Sequence, residues 1–277
     1  MLTVITICFN SARFIRQCLE HVVAQGCPGI EHLVIDGGSN DGTVDIIRTF
    51  AEQHPHVTWL SERDRGQSDA MNKGIARARN TTISFLNVDD YYEPGVLKRI
   101  CGLLPGVPAK HFLVGNTILR TLAGQALTVN RPHDLRFARL ILDSRLYPFP
   151  SNPTAYFYDK HLHDEVGPYA VELKYTMDLD FIARASRVAA MAYYNEDWGN
   201  FVLHDDCKTV AGSAQGHGEK ARFLAKYRSE MPARDRFSFR LRLGWGRFYE
   251  FLWSINMLSS RACGRLKRTL GRRKSSG

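Results

Sequence analysis

Over the first 90 positions the apolar residues come in short, unbroken, β-branched runs separated by polar loops. Thr3-Val4-Ile5-Thr6-Ile7-Cys8 is the first run, residues 30–35 the second, 57–60 a shorter third and Ile83-Ser84-Phe85-Leu86 the fourth. Such runs, bounded by turn residues, read as strands buried on both faces. The stretches between them have helical length, one of them closing near Ala78. Strands that alternate with helices predict βαβ units and a parallel sheet. The runs are followed by Asn10, Asp36, Ser61 and Asp89. A parallel sheet brings such ends to one edge, where open α/β sheets take their ligands.

Further along, residues 94–104 read as a helix, and 112–120 with 126–129 as a hairpin around Gly124. Tyr147-Pro148-Phe149-Pro150-Ser151-Asn152-Pro153 is a rigid aromatic loop ahead of a strand at 154–158, and Tyr147 and Phe149 have the chemistry to stack on a sugar ring. A helix begins near Thr176, and Phe201-Val202-Leu203 is strand-like.

Polar chemistry collects at the ends of the early strands. Asn87-Val88-Asp89-Asp90 delivers two adjacent carboxylates. Neighbouring acids repel one another unless a cation or hydrogen-bond donors take the charge, and a divalent cation with oxygen ligands suits them. Asn10 is placed to cap the following helix, and Gly37, Gly38 and Gly42 supply turn geometry.

Four ordered segments are more specific than any one of them. These are the first strand with Phe9-Asn10, then Ile35-Asp36-Gly37-Gly38-Ser39-Asn40-Asp41-Gly42-Thr43, then Asp69-Ala70-Met71-Asn72-Lys73-Gly74, then Asn87-Val88-Asp89-Asp90. Together they resemble the catalytic domain of the inverting family 2 glycosyltransferases of GT-A fold, above all bacterial members that build O-antigens and exopolysaccharides. The likeness covers roughly residues 2–205. It implies an α/β architecture: a GT-A, Rossmann-like, mostly parallel sheet flanked by helices, with a catalytic domain at 1–215 and a basic amphipathic helical tail at 216–277.

By the same resemblance Phe9, Asn10, Asp36, Asp64, Lys73 and Asp89 hold the nucleotide sugar. Asp36 would accept from the base, although uracil and guanine both offer donors, and Asp89 would hold the ribose. Asp90, with His204, would hold Mg²⁺ or Mn²⁺, which bridges the donor diphosphate. The general base of the family is an aspartate at a helix start, commonly after Glu. Thr176-Met177-Asp178-Leu179-Asp180 has that shape, which makes Asp178 the base, with Met177 in place of the usual Glu and Asp180 as a competitor that a helix turns away. Relatives carry Ala-Arg-Asn where this chain has Ala70-Met71-Asn72, so Lys73, Arg63 or Arg65 is left to meet the diphosphate. The Gln-x-x-Arg-Trp motif of processive synthases is absent, which favours adding one sugar per encounter. His161-Leu162-His163 reads as surface, because on a helix the two rings diverge.

The implied activity is metal-dependent transfer of one sugar, from a UDP-linked donor, to a lipid-linked or oligosaccharide acceptor in cell-surface polysaccharide synthesis. The alternative is a non-catalytic nucleotide-sugar-binding or membrane-associated scaffold protein, which would keep the fold and lose the base.

Composition refines this picture. The 277 residues carry a net charge of +9, but residues 228–277 hold 13 Lys or Arg against 3 acids, so the rest of the chain is nearly neutral. Basicity confined to a tail, with none interleaved among the motifs, argues against a nucleic-acid partner. In that tail Leu241, Trp245, Phe248, Leu252 and Ile255 recur at helical spacing ahead of seven cations in 261–274. That composition suits a helix lying on an anionic membrane surface and equally a terminal helix packed on the catalytic domain. Six scattered cysteines without a C-x-x-C pair read as reduced thiols. With no signal-peptide pattern at the start, the expectation is a cytoplasmic protein, which the membrane reading of the tail would place on the inner face of the cytoplasmic membrane. A nicotinamide dehydrogenase is disfavoured, since no G-x-G-x-x-G follows the first strand.

Overall fold

The computed structural model describes residues 1–141, 148–205, 207 and 213–231. The strands are β1 (Leu2–Cys8), β2 (Glu31–Asp36), β3 (Val57–Ser61), β4 (Thr82–Asn87), β5 (Tyr91–Tyr92), β6 (His111–Thr121), β7 (Ala126–Asn130), β8 (Tyr156–Asp159) and β9 (Ala190–Leu203). The helices are α1 (Ile15–Ala24), α2 (Thr43–Gln53), α3 (Gln67–Arg77), α4 (Val96–Leu103), α5 (Phe137–Leu140), α6 (Leu162–Val166), α7 (Met177–Ala185) and α8 (Ser213–Ser229).

One nine-stranded sheet runs in the order β3-β2-β1-β4-β8-β6-β9-β5, with β7 paired to β6. Its first four strands are parallel. The remainder is mixed: β8 runs antiparallel to β4 and β6, while β6 and β9 are parallel. Every residue of β2 is buried, and β1 and β4 are buried except for Ile7 and Asn87. Layers of side chains therefore cover both faces, as the unbroken apolar runs require. Ile5, Ile35, Phe85 and Phe181 share one apolar layer, and Leu2, Val4, Leu97 and Trp198 another.

Chain order leaves β1 toward β2 on one side and toward β4 on the other, so the sheet switches direction between them. A crevice at the carboxyl ends of such strands is where this topology places a ligand.

Several local expectations change. Asn10 does not cap α1. It sits at φ 48 and uses its carboxamide oxygen to accept the Asn40 N–H at 3.1 Å, while the Ser11 carbonyl accepts from Phe14 and Ile15. His161 is exposed as read, but His163 is not a surface residue: its ring stacks on Phe181 at 4.2 Å and it bonds the Tyr158 hydroxyl at 3.0 Å. Helix α6 is too short for its two ends to share an environment, so one turn puts one ring outside and the other inside. Phe149 is buried in the core, which accounts for its apolar character by packing, and Tyr147 lies outside the described residues.

The first compact unit is Met1–Tyr227, beyond the boundary expected at 215, because α8 buries Phe223 and Tyr227 and directs Glu219 at the residues before α7. The second unit is Arg228–Gly277, and the amphipathic stretch read from the sequence there lies outside the described residues. Among the described residues no helix is long and apolar enough to cross a membrane.

Candidate active site

A cleft of about 560 Å³ opens at the carboxyl ends of β1 and β4. Its sheet side is made by Ile7, Phe9, Asn87 and Asp89, with Asp64 from the loop before α3. The facing side brings Asn152, Lys174, Tyr175 and Asp178. Of the residues that the sequence singled out for donor and acceptor chemistry, Phe9, Asp64, Asp89 and Asp178 therefore meet in one place.

Phe9 is 62% exposed, an unusual state for a large apolar ring, and it stands at the cleft beside Gly37. A flat apolar group such as a base would cover it. Gly37 does more than make a turn. A Cβ there would come within 2.5 Å of Asp64 Oδ2, so the missing side chain makes the room that the Asp64 carboxylate occupies. Gly38 and Gly42, at φ 87 and 95, do serve turn geometry.

Asp36 is engaged by the chain around it. Its carboxylate is wholly buried and accepts from the Ser61 hydroxyl at 2.6 Å, from the N–H groups of Gly38 and Ser39 at 3.0 Å, and from the Ser39 hydroxyl. Burial raises its pKa, but these donors outweigh that and hold it below the usual carboxylate range. Its oxygens are spent on the glycine-rich loop, and it is not among the residues lining the cleft. Lys73 is likewise turned away from the cleft. Its ammonium holds Glu62 at 3.0 Å and the Arg63 carbonyl at 2.7 Å. Among the described residues the cation that lines the cleft is Lys174, which lies outside every motif and left no signal in the sequence.

The adjacent acids have different partners: past the end of β4 at Asn87 the chain turns, with the Asp90 N–H bonded to the Asn87 carbonyl at 3.1 Å. Asp90 is 2% exposed and accepts the Val202 N–H at 2.9 Å and the amides of Asn87 and Asn152 at 2.8 Å. Burial pushes its carboxyl up to about 7, the Asp89 charge adds to the rise, and the three donors oppose it. Asp90 ties the end of β4 to β9 and to the loop before β8. Asp89 faces the cleft, and its Oδ2 meets His204 Nε2 at 2.8 Å. The ring of His204 lies 5.0 Å from that of Phe14, and its Nδ1 is buried without a hydrogen-bond partner. Among the described residues no group of three or more potential ligands is gathered, so the protein offers this carboxylate and imidazole. The carboxylate fits Mg²⁺ or Mn²⁺, hard ions held by one or two carboxylates with substrate phosphates and water completing the shell, and the imidazole is the softer ligand of the two.

On the facing side, Asp178 lies in the first turn of α7, where the helix dipole favours a negative charge. Tyr156 donates its hydroxyl to Asp178 Oδ1 at 2.9 Å. Burial above all, and then the Asp178 charge, push the Tyr156 pKa far up, so this phenol stays a donor. Asp180 points the other way: it is 5% exposed and holds Arg184 at 2.8 Å and the Tyr227 hydroxyl at 2.7 Å. Helical periodicity separates the two acids as expected.

Residues 3–114 match the family model described as glycosyl transferase family 2. A PGL/p-HBAD biosynthesis glycosyltransferase of Mycobacterium tuberculosis is 31% identical over 189 residues, which is 66% of this chain and 69% of that protein. Among solved structures, S. aureus TarS in complex with UDP-GlcNAc has a TM-score of 0.64 at 18% identity, over 82% of this chain and 66% of that one. The mannosyltransferase PcManGT from Pyrobaculum calidifontis, in complex with GDP-Man and Mn²⁺, has a TM-score of 0.58 at 20% identity, over 83% of this chain and 63% of that one. The structural likenesses carry the GT-A-like fold, a mixed sheet flanked by helices, and the sequence likeness carries the kinship: the chain belongs to glycosyl transferase family 2 and is a glycosyltransferase.

Proposed function

We propose that the protein is a metal-dependent inverting glycosyltransferase that moves one sugar from a UDP-linked donor to a lipid-linked or oligosaccharide acceptor. The observation that carries this reading is the meeting of Asp89 and Asp178 on the walls of one cleft, delivered by a strand end and a helix start far apart in sequence. A donor laid between them has its diphosphate at Asp89 and its anomeric carbon toward Asp178.

The exposed ring of Phe9 covers one face of the base, and the Asp64 carboxylate, an acceptor only, suits the N3–H of uracil. Asp89 Oδ2 and His204 Nε2 would hold the divalent ion, which supplies charge neutralisation for the departing diphosphate. Lys174 adds a cation to the same cleft. Asp178 takes the proton from the acceptor hydroxyl, whose oxygen attacks the anomeric carbon on the face opposite the leaving nucleotide. The bond to Tyr156 fixes the orientation of that carboxylate. TarS with UDP-GlcNAc and PcManGT with GDP-Man and Mn²⁺ support a nucleotide-sugar donor and a metal, and the uracil reading rests on Asp64.

Incubation of the full chain with a panel of UDP-, GDP- and dTDP-sugars, with and without Mn²⁺, tests this directly. Release of UDP from one UDP-sugar, dependent on metal and stimulated by a glycan acceptor, is the expected result. Preference for a GDP-sugar, or undiminished turnover in EDTA, would refute the donor or the metal. The basic aromatic tail, read from its sequence alone, would bring this cleft to an anionic membrane that carries the acceptor. Truncation before Phe237 should then release the protein from anionic liposomes, and retention by the truncated protein would remove the tail from that role.

A further inference from the structure

The segment entering α7 brings Lys174 and Tyr175 to the cleft and delivers Asp178, yet it has no regular structure of its own. Three of its successive N–H groups end on a single side chain. Glu219 of α8 is 9% exposed, and its Oε1 accepts the N–H of Tyr175 at 2.8 Å, the N–H of Thr176 at 2.7 Å and the Thr176 hydroxyl at 2.7 Å. Its Oε2 accepts the N–H of Lys174 at 3.2 Å.

This arrangement replaces ordinary capping. Thr176 occupies the N-cap position of α7, where a threonine hydroxyl usually accepts from the second or third helical N–H. Here it makes no such bond and donates to Glu219 instead. Met177 stands where a glutamate commonly precedes the base, and it has no carboxylate to give. The carboxylate at this helix entrance comes from a helix well beyond the segment that matches the family model.

We infer that Glu219 is a positioning residue for the transfer reaction: it sets the course of Lys174–Thr176 and thereby the place of Asp178 against the donor. The inference rests on the reading of Asp178 as base. Charged acceptors of several donors are among the stronger hydrogen-bonding arrangements, and reactions of bound groups are sensitive to displacements of an ångström. A carboxylate that fixes three consecutive backbone groups two residues ahead of the base therefore acts on rate more than on donor affinity.

Glu219→Gln keeps the shape but turns one acceptor oxygen into an amide donor facing the same N–H groups. Three measurements on the full chain separate positioning from mere capping. Hydrogen exchange at the amides of 174–176 should quicken. Affinity for UDP with Mn²⁺, by calorimetry, should stay within about twofold. Turnover of the UDP-sugar selected by the panel should fall roughly 10- to 100-fold in kcat. Glu219→Asp retracts the carboxylate by one methylene and should show the same split, which decides the matter if the Gln variant loses its cooperative melt. Unchanged kcat with quickened exchange would overturn the inference, as would unchanged exchange. Asp178→Asn, measured alongside, keeps the two readings apart: an active Asp178→Asn overturns the base, whereas an inactive Asp178→Asn with a fully active Glu219→Gln overturns the positioning alone.

Discussion

The parallel and mixed halves of the sheet build opposite walls of one cleft by different means. In the parallel half, the loops after β1 and β2 fasten mostly to one another, while the end of β4 is tied through Asp90 to Asn152 and Val202. Asp36 gathers Gly38, Ser39 and Ser61, and Asp41 holds Thr43 and Ala12. In the mixed half the base is fixed mostly by residues outside the motifs: Tyr156 bonds Asp178 and Glu219 holds Lys174–Thr176, while Asn72, from a motif, exchanges two 2.9 Å bonds with the Tyr169 backbone. The contrast teaches that a motif acid is as often a fastener as a reagent, and that the wall around the base is assembled mostly by residues no motif contains.

The sharpest way to break the comparison is at the reagent itself. Asp178→Asn keeps size and much of the preference for a helix start but cannot take a proton, so kcat should fall about 10²- to 10⁴-fold while UDP affinity holds. Asp180→Asn should instead weaken the attachment to Arg184 and Tyr227 and show mainly as a lower melting temperature. A larger rate loss in Asp180→Asn than in Asp178→Asn would exchange their roles.

On the opposite wall, Asp36→Asn tests whether this acid is a fastener. An amide in its place presents N–H to N–H or to a hydroxyl proton, and bonds to a charged acceptor contribute about 1.5–3 kcal/mol each. Urea titration should show a loss on the order of 2–3 kcal/mol in unfolding free energy, with UDP affinity lowered only as the loop loosens. A variant of native stability that no longer binds UDP would return Asp36 to the nucleotide.

Acid should loosen both halves at once. Burial lowers His32, in β2, to about 3 and His163, in α6, to about 4, from an ordinary value of 6.5. The unfolded chain therefore binds protons that the folded chain refuses. The stability due to neutral imidazoles is complete above pH 6.5 and declines as pH falls from there toward 4, by at most about 1.4 kcal/mol per pH unit for each ring. Unfolding free energies measured at pH 7, 6 and 5 should follow that slope, and Phe in place of His163 should make it shallower. A flat profile between pH 7 and 5 would show that these rings are not held neutral.

The sequence made the parallel half legible because its signals are local. Unbroken apolar runs located β1 to β4, and turn residues after them located the cleft edge, since a strand buried on both faces leaves few other readings. The motif likeness located Phe9, Asp64, Asp89 and Asp178, all of which line the cleft. Spacing shows that Asp90 and Asp36 lie at strand ends but not which donors wait for each there. Nor does spacing show the partners of Lys73, since Glu62 and the Arg63 carbonyl meet it only in three dimensions. Lys174 and Glu219 lie in segments without periodicity or motif, and their roles come from contacts spanning tens of residues. Chain neighbourhood carries no trace of such contacts.

The division between fastener and reagent is most direct at Asp89 and Asp90, neighbours in one motif whose carboxylates take different partners. Calorimetric titration of UDP into wild type, Asp89→Asn and Asp90→Asn, each with and without Mn²⁺, compares them in one measurement. Asp89→Asn should lose the Mn²⁺-dependent gain in affinity, by at least the roughly 10- to 100-fold typical of disturbing a metal ligand's surroundings, at near-native melting temperature. Asp90→Asn should keep that gain and melt earlier. The reverse pattern, with metal dependence lost in Asp90→Asn and kept in Asp89→Asn, would contradict the placement of the metal at Asp89 and His204.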